Sequence, residues 1–129
     1  SSEERVRNFW VSLGGNVAPI GPGDHDRLMA LASHLPQLTS NALAAVLASF
    51  GVRRTDLGPG GRDMTRLAGS SPEMWMDLLE HAPDTLSEAV SVLAERLGDL
   101  REQLDSGQIE TIRKLLRRTR AWTEGGEWS

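Results

Sequence analysis

The chain contains no cysteine and no tyrosine. Without thiols there is no disulfide framework, no thiolate nucleophile and no cysteine-ligated metal, and any redox chemistry needs a cofactor held elsewhere. Aromatic residues are sparse at 5%, and no segment alternates apolar and polar residues for long, so the main signal for strands is missing. No apolar run approaches the roughly eighteen residues of a membrane span. The opening Ser1-Ser2-Glu3-Glu4-Arg5 has none of a signal peptide's apolar stretch, so a cytoplasmic protein with no membrane partner is expected. Positive charge is in deficit: a net charge of -4 argues against a nucleic-acid partner, whose phosphates demand clustered Lys and Arg. Gly58-Pro59-Gly60-Gly61 lacks the spacing of a dinucleotide-binding loop and follows no strand. His25, His34 and His81 lie too far apart in sequence to form a helical metal pair, so no metal is expected.

What is present is 39% apolar and 25% charged residues in 129, enough for one globular domain. The expectation is an all-α, multi-helix domain over residues 1–122 and a disordered tail over 123–129, where Gly125-Gly126 sits among polar residues with no periodic face. A first helix is predicted over Glu3 to Leu13, ended by Gly14-Gly15. Pro22-Gly23-Asp24 opens a long helix whose face carries Leu28, Leu31, Leu35, Leu38, Ala42, Ala45 and Ser49, and Gly51 stops it. Pro36 lacks the N–H owed to Ala32, which predicts a kink near His34. Gly51 to Gly61 reads as a long loop. Ser71-Pro72-Glu73 starts a further helix that breaks at Ala82-Pro83.

The strongest periodicity follows. Leu86, Val90, Leu93, Leu97, Leu100 and Leu104 alternate spacings of four and three, a heptad seam about 27 Å long. Ser106-Gly107 then turns the chain into Ile109, Ile112, Leu115 and Leu116, giving a C-terminal helical hairpin. One short helix covers such a seam incompletely, so a homodimer is expected as well.

The polar residues on these elements are Asp24-His25-Asp26, Ser33-His34-Leu35-Pro36-Gln37, Arg62-Asp63-Met64-Thr65-Arg66 and Trp75. Singly, each has a plain structural explanation: Asp24 as a cap, His25 and Asp26 as a solvated first turn, Asp63 and Arg66 as an i,i+3 ion pair, His34 as a buried histidine with a hydrogen bond. The basic run Arg113, Lys114, Arg117, Arg118 and Arg120 reads best as a solvated helix face, though an acidic partner or nucleic acid is its alternative.

Order and spacing say more. Phe9-Trp10 with Leu13-Gly14, His25-Asp26, Ser33-His34-Leu35-Pro36, Gly60, Asp63-x-Thr65-Arg66-x-Ala68 and Ser71-Pro72-x-Met74-Trp75 together resemble the C-terminal domain of the prephenate and arogenate dehydrogenase family over about residues 5 to 105. The resemblance implies an intertwined dimer that walls a substrate cleft. A preceding Rossmann domain would bind NAD or NADP and supply the catalytic histidine of an oxidative decarboxylation in tyrosine biosynthesis. It implies no catalytic residue and no bound cofactor here. His25, Ser33, His34, Gln37 and Arg66 would line the substrate, with Asp26, Asp63, Gly60 and Trp75 in support. The physics suits Arg66, since a guanidinium fork matches a carboxylate and prephenate carries two. Asp63 is expected to hold Arg66, and Trp75 to pack behind residues 62–67. Two departures stand out: Gln37 where many relatives have a second histidine, and Pro59-Gly60-Gly61 where they have Gly-Gly-aromatic. Gln37 carries no charge, which leaves prephenate against arogenate open. The alternative from another class is a stand-alone helical dimerisation module without catalysis.

Overall fold

A computed structural model describes residues 22–128, all in helices, turns and connecting coil. The predicted helix over Glu3 to Leu13 lies outside these residues. The chain is described as two units that divide after Ala89.

In the first unit, helix α1 (Pro22–Met29) runs into a π-helical turn (Ala30–His34) and then helix α2 (Leu35–Ser49). Pro36 sits in the first turn of α2. The missing N–H and the ring's clash with the Ala32 carbonyl are absorbed by the widened turn, where the Leu35 N–H bonds to the Ala30 carbonyl. A π turn inserts one extra residue and advances the buried face. Beyond it Gln37 and Ser40 are buried, Leu35, Leu38, Thr39, Leu43, Ala44 and Leu47 are half-buried, and Ala42, Ala45 and Ser49 of the predicted face are exposed. Helix α2 ends at Gly51, which takes φ +77°, while the Gly51 and Val52 N–H groups bond to Ala48 and Leu47 carbonyls at 3.0 Å. That conformation suits a residue without a Cβ.

The predicted long loop is largely helical. A 3-10 turn (Arg54–Asp56) is held by the Asp56 carboxylate accepting from the Arg53 N–H at 2.9 Å, and helix α3 (Pro59–Thr65) follows. Pro59 at the first helical position has no N–H to leave unsatisfied, so a Pro-Gly-Gly string that reads as loop serves as a first turn. Gly61 also lies close to Leu57, whose Cδ2 would be 3.0 Å from an added Cβ. A 3-10 turn (Arg66–Gly69) leads to helix α4 (Pro72–Glu80), which starts after Ser71 as predicted, although the Ser71 hydroxyl caps no backbone N–H and donates to the Glu73 carboxylate at 2.9 Å. Helix α5 (Asp84–Asp105) begins here with a buried Leu86 and continues into the second unit.

In the second unit, α5 ends in a turn through Gly107 at φ +70°, and helix α6 (Ile109–Thr123) follows, the predicted hairpin. The tail expected to be disordered reaches back along it. Trp128 lies under the Arg118 guanidinium at 4.0 Å and near that of Arg96 at 6.0 Å, a cation–π arrangement that composition alone did not reveal. No helix among the described residues is long and apolar enough to cross a membrane.

The hydrophobic core among the described residues is small: Leu28, Ala30 and Leu86 are its buried members. The heptad seam splits by row. Leu86, Leu93 and Leu100 are buried or half-buried, while Val90, Leu97 and Leu104 face solvent, Leu97 being 57% exposed.

Candidate functional site

The first unit brings α2 and the 3-10 turn Arg66–Gly69 together through polar groups. Gln37, 4% exposed, donates from Nε2 to the Leu67 carbonyl at 2.7 Å and to Asn41 Oδ1 at 2.9 Å. Its Oε1 accepts from Ser70 Oγ at 3.4 Å, and Ser40 Oγ accepts from the Ala68 N–H at 3.1 Å. A 3-10 turn leaves some backbone groups without α-helical partners: Ser40 takes the Ala68 N–H, while Gln37 shares the Leu67 carbonyl with the Ser70 N–H at 3.0 Å. Thr65, also buried, donates to the Gly61 carbonyl at 2.7 Å and closes α3. The effect is to fix the turn that begins with Arg66 against α2, one helical turn past His34.

His34 ends the π turn and is half-buried. Its ring meets the indole of Trp75 on α4 edge to face, centroids 5.6 Å apart and planes at 85°. His34 Nδ1 and Trp75 Nε1 are both buried without a hydrogen-bond partner. Buried polar atoms are rarely left so.

The predicted site residues separate into groups. His34 and Trp75 touch, and Gln37 anchors the turn bearing Arg66. Ser33 is half-buried beside His34, while His25 and Asp26 are exposed on α1. Arg66, Asp63 and Gly60 are exposed, and a Cβ at Gly60 would meet nothing. The expected Asp63–Arg66 ion pair is not among those formed by the described residues. The reason is local: Thr65 leaves the α conformation at φ −106°, ψ 0°, and turns Arg66 off the face that Asp63 occupies. Sequence reading gave Gln37 a ligand-facing role and missed its structural one. The signal available was an amide at the position that the π turn's extra residue brings onto the buried face.

In the basic run, Arg113 pairs with Glu110 at 2.6 Å and Arg120 with Glu124 at 3.2 Å, so part of its charge is met within α6 and its end. Asp77, Glu80 and His81 bring ligand-type atoms within 4.8 Å of one another at the end of α4, all three exposed. The described residues include no strand and hence no strand–glycine loop–helix unit.

Residues 21–118 match the model of the family described as prephenate dehydrogenase, dimerization domain. The chain is 31% identical over 103 residues to a cyclohexadienyl dehydrogenase of Zymomonas mobilis, covering 75% of this chain and 34% of that protein. It is 24% identical over 127 residues to a prephenate dehydrogenase of Bacillus subtilis, covering 95% of this chain and 34% of that protein. The chain thus spans about a third of each curated relative. A crystal structure of Synechocystis arogenate dehydrogenase superposes with a TM-score of 0.74 at 25% identity, over 93% of this chain and 45% of that one. The chain belongs to the prephenate dehydrogenase dimerization-domain family.

Proposed function

We propose that this chain is the substrate-binding and dimerisation part of a prephenate or arogenate dehydrogenase. It would work in the cytoplasm with a dinucleotide-binding part that holds NAD or NADP and the catalytic base. The observation that carries the reading is the family match over residues 21–118, within which buried Gln37 fastens the turn that begins at Arg66 to α2 and His34 meets Trp75. Arg66 then supplies a fixed-base, mobile-tip guanidinium for one substrate carboxylate, with His34 and Ser33 on the neighbouring turn and His25 at the rim. Asp63 acts on Arg66 only through the general field of the site, since the two form no ion pair.

The exposed row Val90, Leu97 and Leu104, with Ile109, Leu116 and Trp122 exposed on α6, supports the homodimer. A second reading, a dimerisation module without catalysis, draws on Gln37, whose amide hydrogens are both spent inside the chain. Steady-state kinetics on the protein with its dinucleotide-binding part decides between them. Arg66→Ala should raise KM for the accepted substrate about tenfold or more with kcat little changed, and Arg66→Lys should recover only part of that loss. A wild-type KM in Arg66→Ala would remove Arg66 from the site, and absence of turnover by the wild type would favour the module.

A further inference from the structure

The C-terminal segment, expected from composition to be disordered, ends in a side chain that is held. Every residue from 119 to 127 is exposed, whereas Trp128 is half-buried. Had α6 simply continued, residue 128 would stand about 15 Å beyond Arg118, yet the indole lies 4.0 Å from the Arg118 guanidinium. Two glycines make the reversal. Gly125 takes φ +91° and its N–H bonds to the Trp122 carbonyl at 3.0 Å, while the Gly126 N–H bonds to the Ala121 carbonyl at 2.9 Å. That pair of bonds is the left-handed ending that turns a chain back along its own helix. A Cβ at Gly126 would lie 2.8 Å from the Ala121 carbonyl oxygen, so a side chain there displaces the turn.

The cations that Trp128 meets belong to two helices. Arg96 on α5 and Arg118 on α6 are equally far in sequence from Gly107, so the hairpin brings them level, and both guanidinium groups lie within 6.0 Å of the one ring. Neither forms an ion pair with another described residue, and Arg118 Nε is buried without a hydrogen-bond partner. Helix α6 offers Arg118 no acid three or four positions away, where it carries Lys114, Leu115, Ala121 and Trp122. The negative face of the indole is what meets this charge. We propose that residues 125–128 form a strap: the glycine turn folds Trp128 back onto the hairpin, where its ring bridges Arg118 and Arg96 and holds α5 and α6 together. Closure of the hairpin is then set by residues outside both of its helices.

The test is amide hydrogen exchange on the full chain at fixed protein concentration, with the amides of α2 as internal reference. Trp128→Leu keeps an apolar side chain and removes the π face. It should speed exchange about fivefold in residues 93–100 and in residues 115–121, with α2 unchanged. Trp128→Phe retains a π face and should recover most of the protection. Arg118→Gln should lose about as much as Trp128→Leu, and the two together no more than either alone, because both remove the same contact. Gly126→Ala leaves every partner in place but displaces the turn, so it should loosen the same two segments. Wild-type exchange in Trp128→Leu or in Gly126→Ala overturns the strap. So does faster exchange confined to α6, which would make Trp128 the cap of one helix end. Additive losses in the Trp128→Leu, Arg118→Gln pair, or equal losses in Trp128→Phe and Trp128→Leu, would overturn the cation–π bridge and leave plain packing in its place.

Discussion

Replacing Gln37 by Met tests how the turn that begins at Arg66 is held. Methionine matches the length and flexibility of glutamine and fills the same space, so the change removes hydrogen bonds with little change in volume. Two donated bonds are lost, to the Leu67 carbonyl at 2.7 Å and to Asn41 Oδ1 at 2.9 Å. Asn41 is exposed and turns to water, so its loss is small. The Leu67 carbonyl keeps the Ser70 N–H at 3.0 Å, so it loses one of two donors and is not orphaned, and the Ser70 hydroxyl loses the Gln37 oxygen it donates to at 3.4 Å. At about 1 kcal/mol for a net hydrogen bond the total is about 1 to 2 kcal/mol. For a chain of this size that lowers the melting temperature by roughly 3 to 8 °C. Thermal unfolding followed by circular dichroism measures it, at fixed protein concentration because association shifts the midpoint. Asn41→Ala is the control and should move the midpoint by about a quarter as much or less. A Gln37→Met variant that melts with the wild type would refute the claim that this amide fastens the Arg66 turn to α2.

Other expectations follow from the same geometry. Gly51→Ala forces a Cβ into φ +77° and should cost about 1 to 2 kcal/mol in chemical denaturation. Replacing Val90, Leu97 and Leu104 together by Ser should turn a dimer into a monomer by light scattering while helix content is kept; a wild-type mass would place the interface elsewhere. Glu73, in the first turn of α4, has its carboxyl held below the ordinary value by its own backbone N–H and then by the Ser71 hydroxyl. A group that binds its proton less tightly when folded contributes stability above its unfolded pKa and loses that contribution as pH falls through the folded value. Glu73→Gln should therefore be less stable than wild type at neutral pH, with the difference vanishing in acid; a difference that grows on acidification would contradict the assignment.

Helix starts and stops were readable from single residues whose chemistry permits few alternatives. Ser71-Pro72 had to open a helix, Gly51 had to end one, and Ser106-Gly107 had to turn the chain. The disturbance at Pro36 was also foreseeable, but not its form. The predicted face keeps Leu35 and Leu38 half-buried but loses Ala42, Ala45 and Ser49 to solvent, while Gln37 and Ser40 beyond the π turn are buried. Helical periodicity cannot report a phase shift that occurs in the backbone. Pro59-Gly60-Gly61 misled for a related reason, since the residues that break a helix interior are tolerated at its first turn. At the site, residue types and order suggested His34, Arg66 and Trp75 as one neighbourhood. The direct meeting of His34 with Trp75 depends on how two distant helices pack, and sequence spacing carries no trace of it.

The decisive assay is turnover of prephenate and of arogenate, read as reduced nicotinamide formed, by the protein that joins this chain to its dinucleotide-binding part. The prediction is cofactor-dependent oxidation of at least one of the two substrates by the joined protein, and none by these 129 residues alone. Failure of the joined protein to oxidise either substrate, or turnover by this chain without that part, would contradict it.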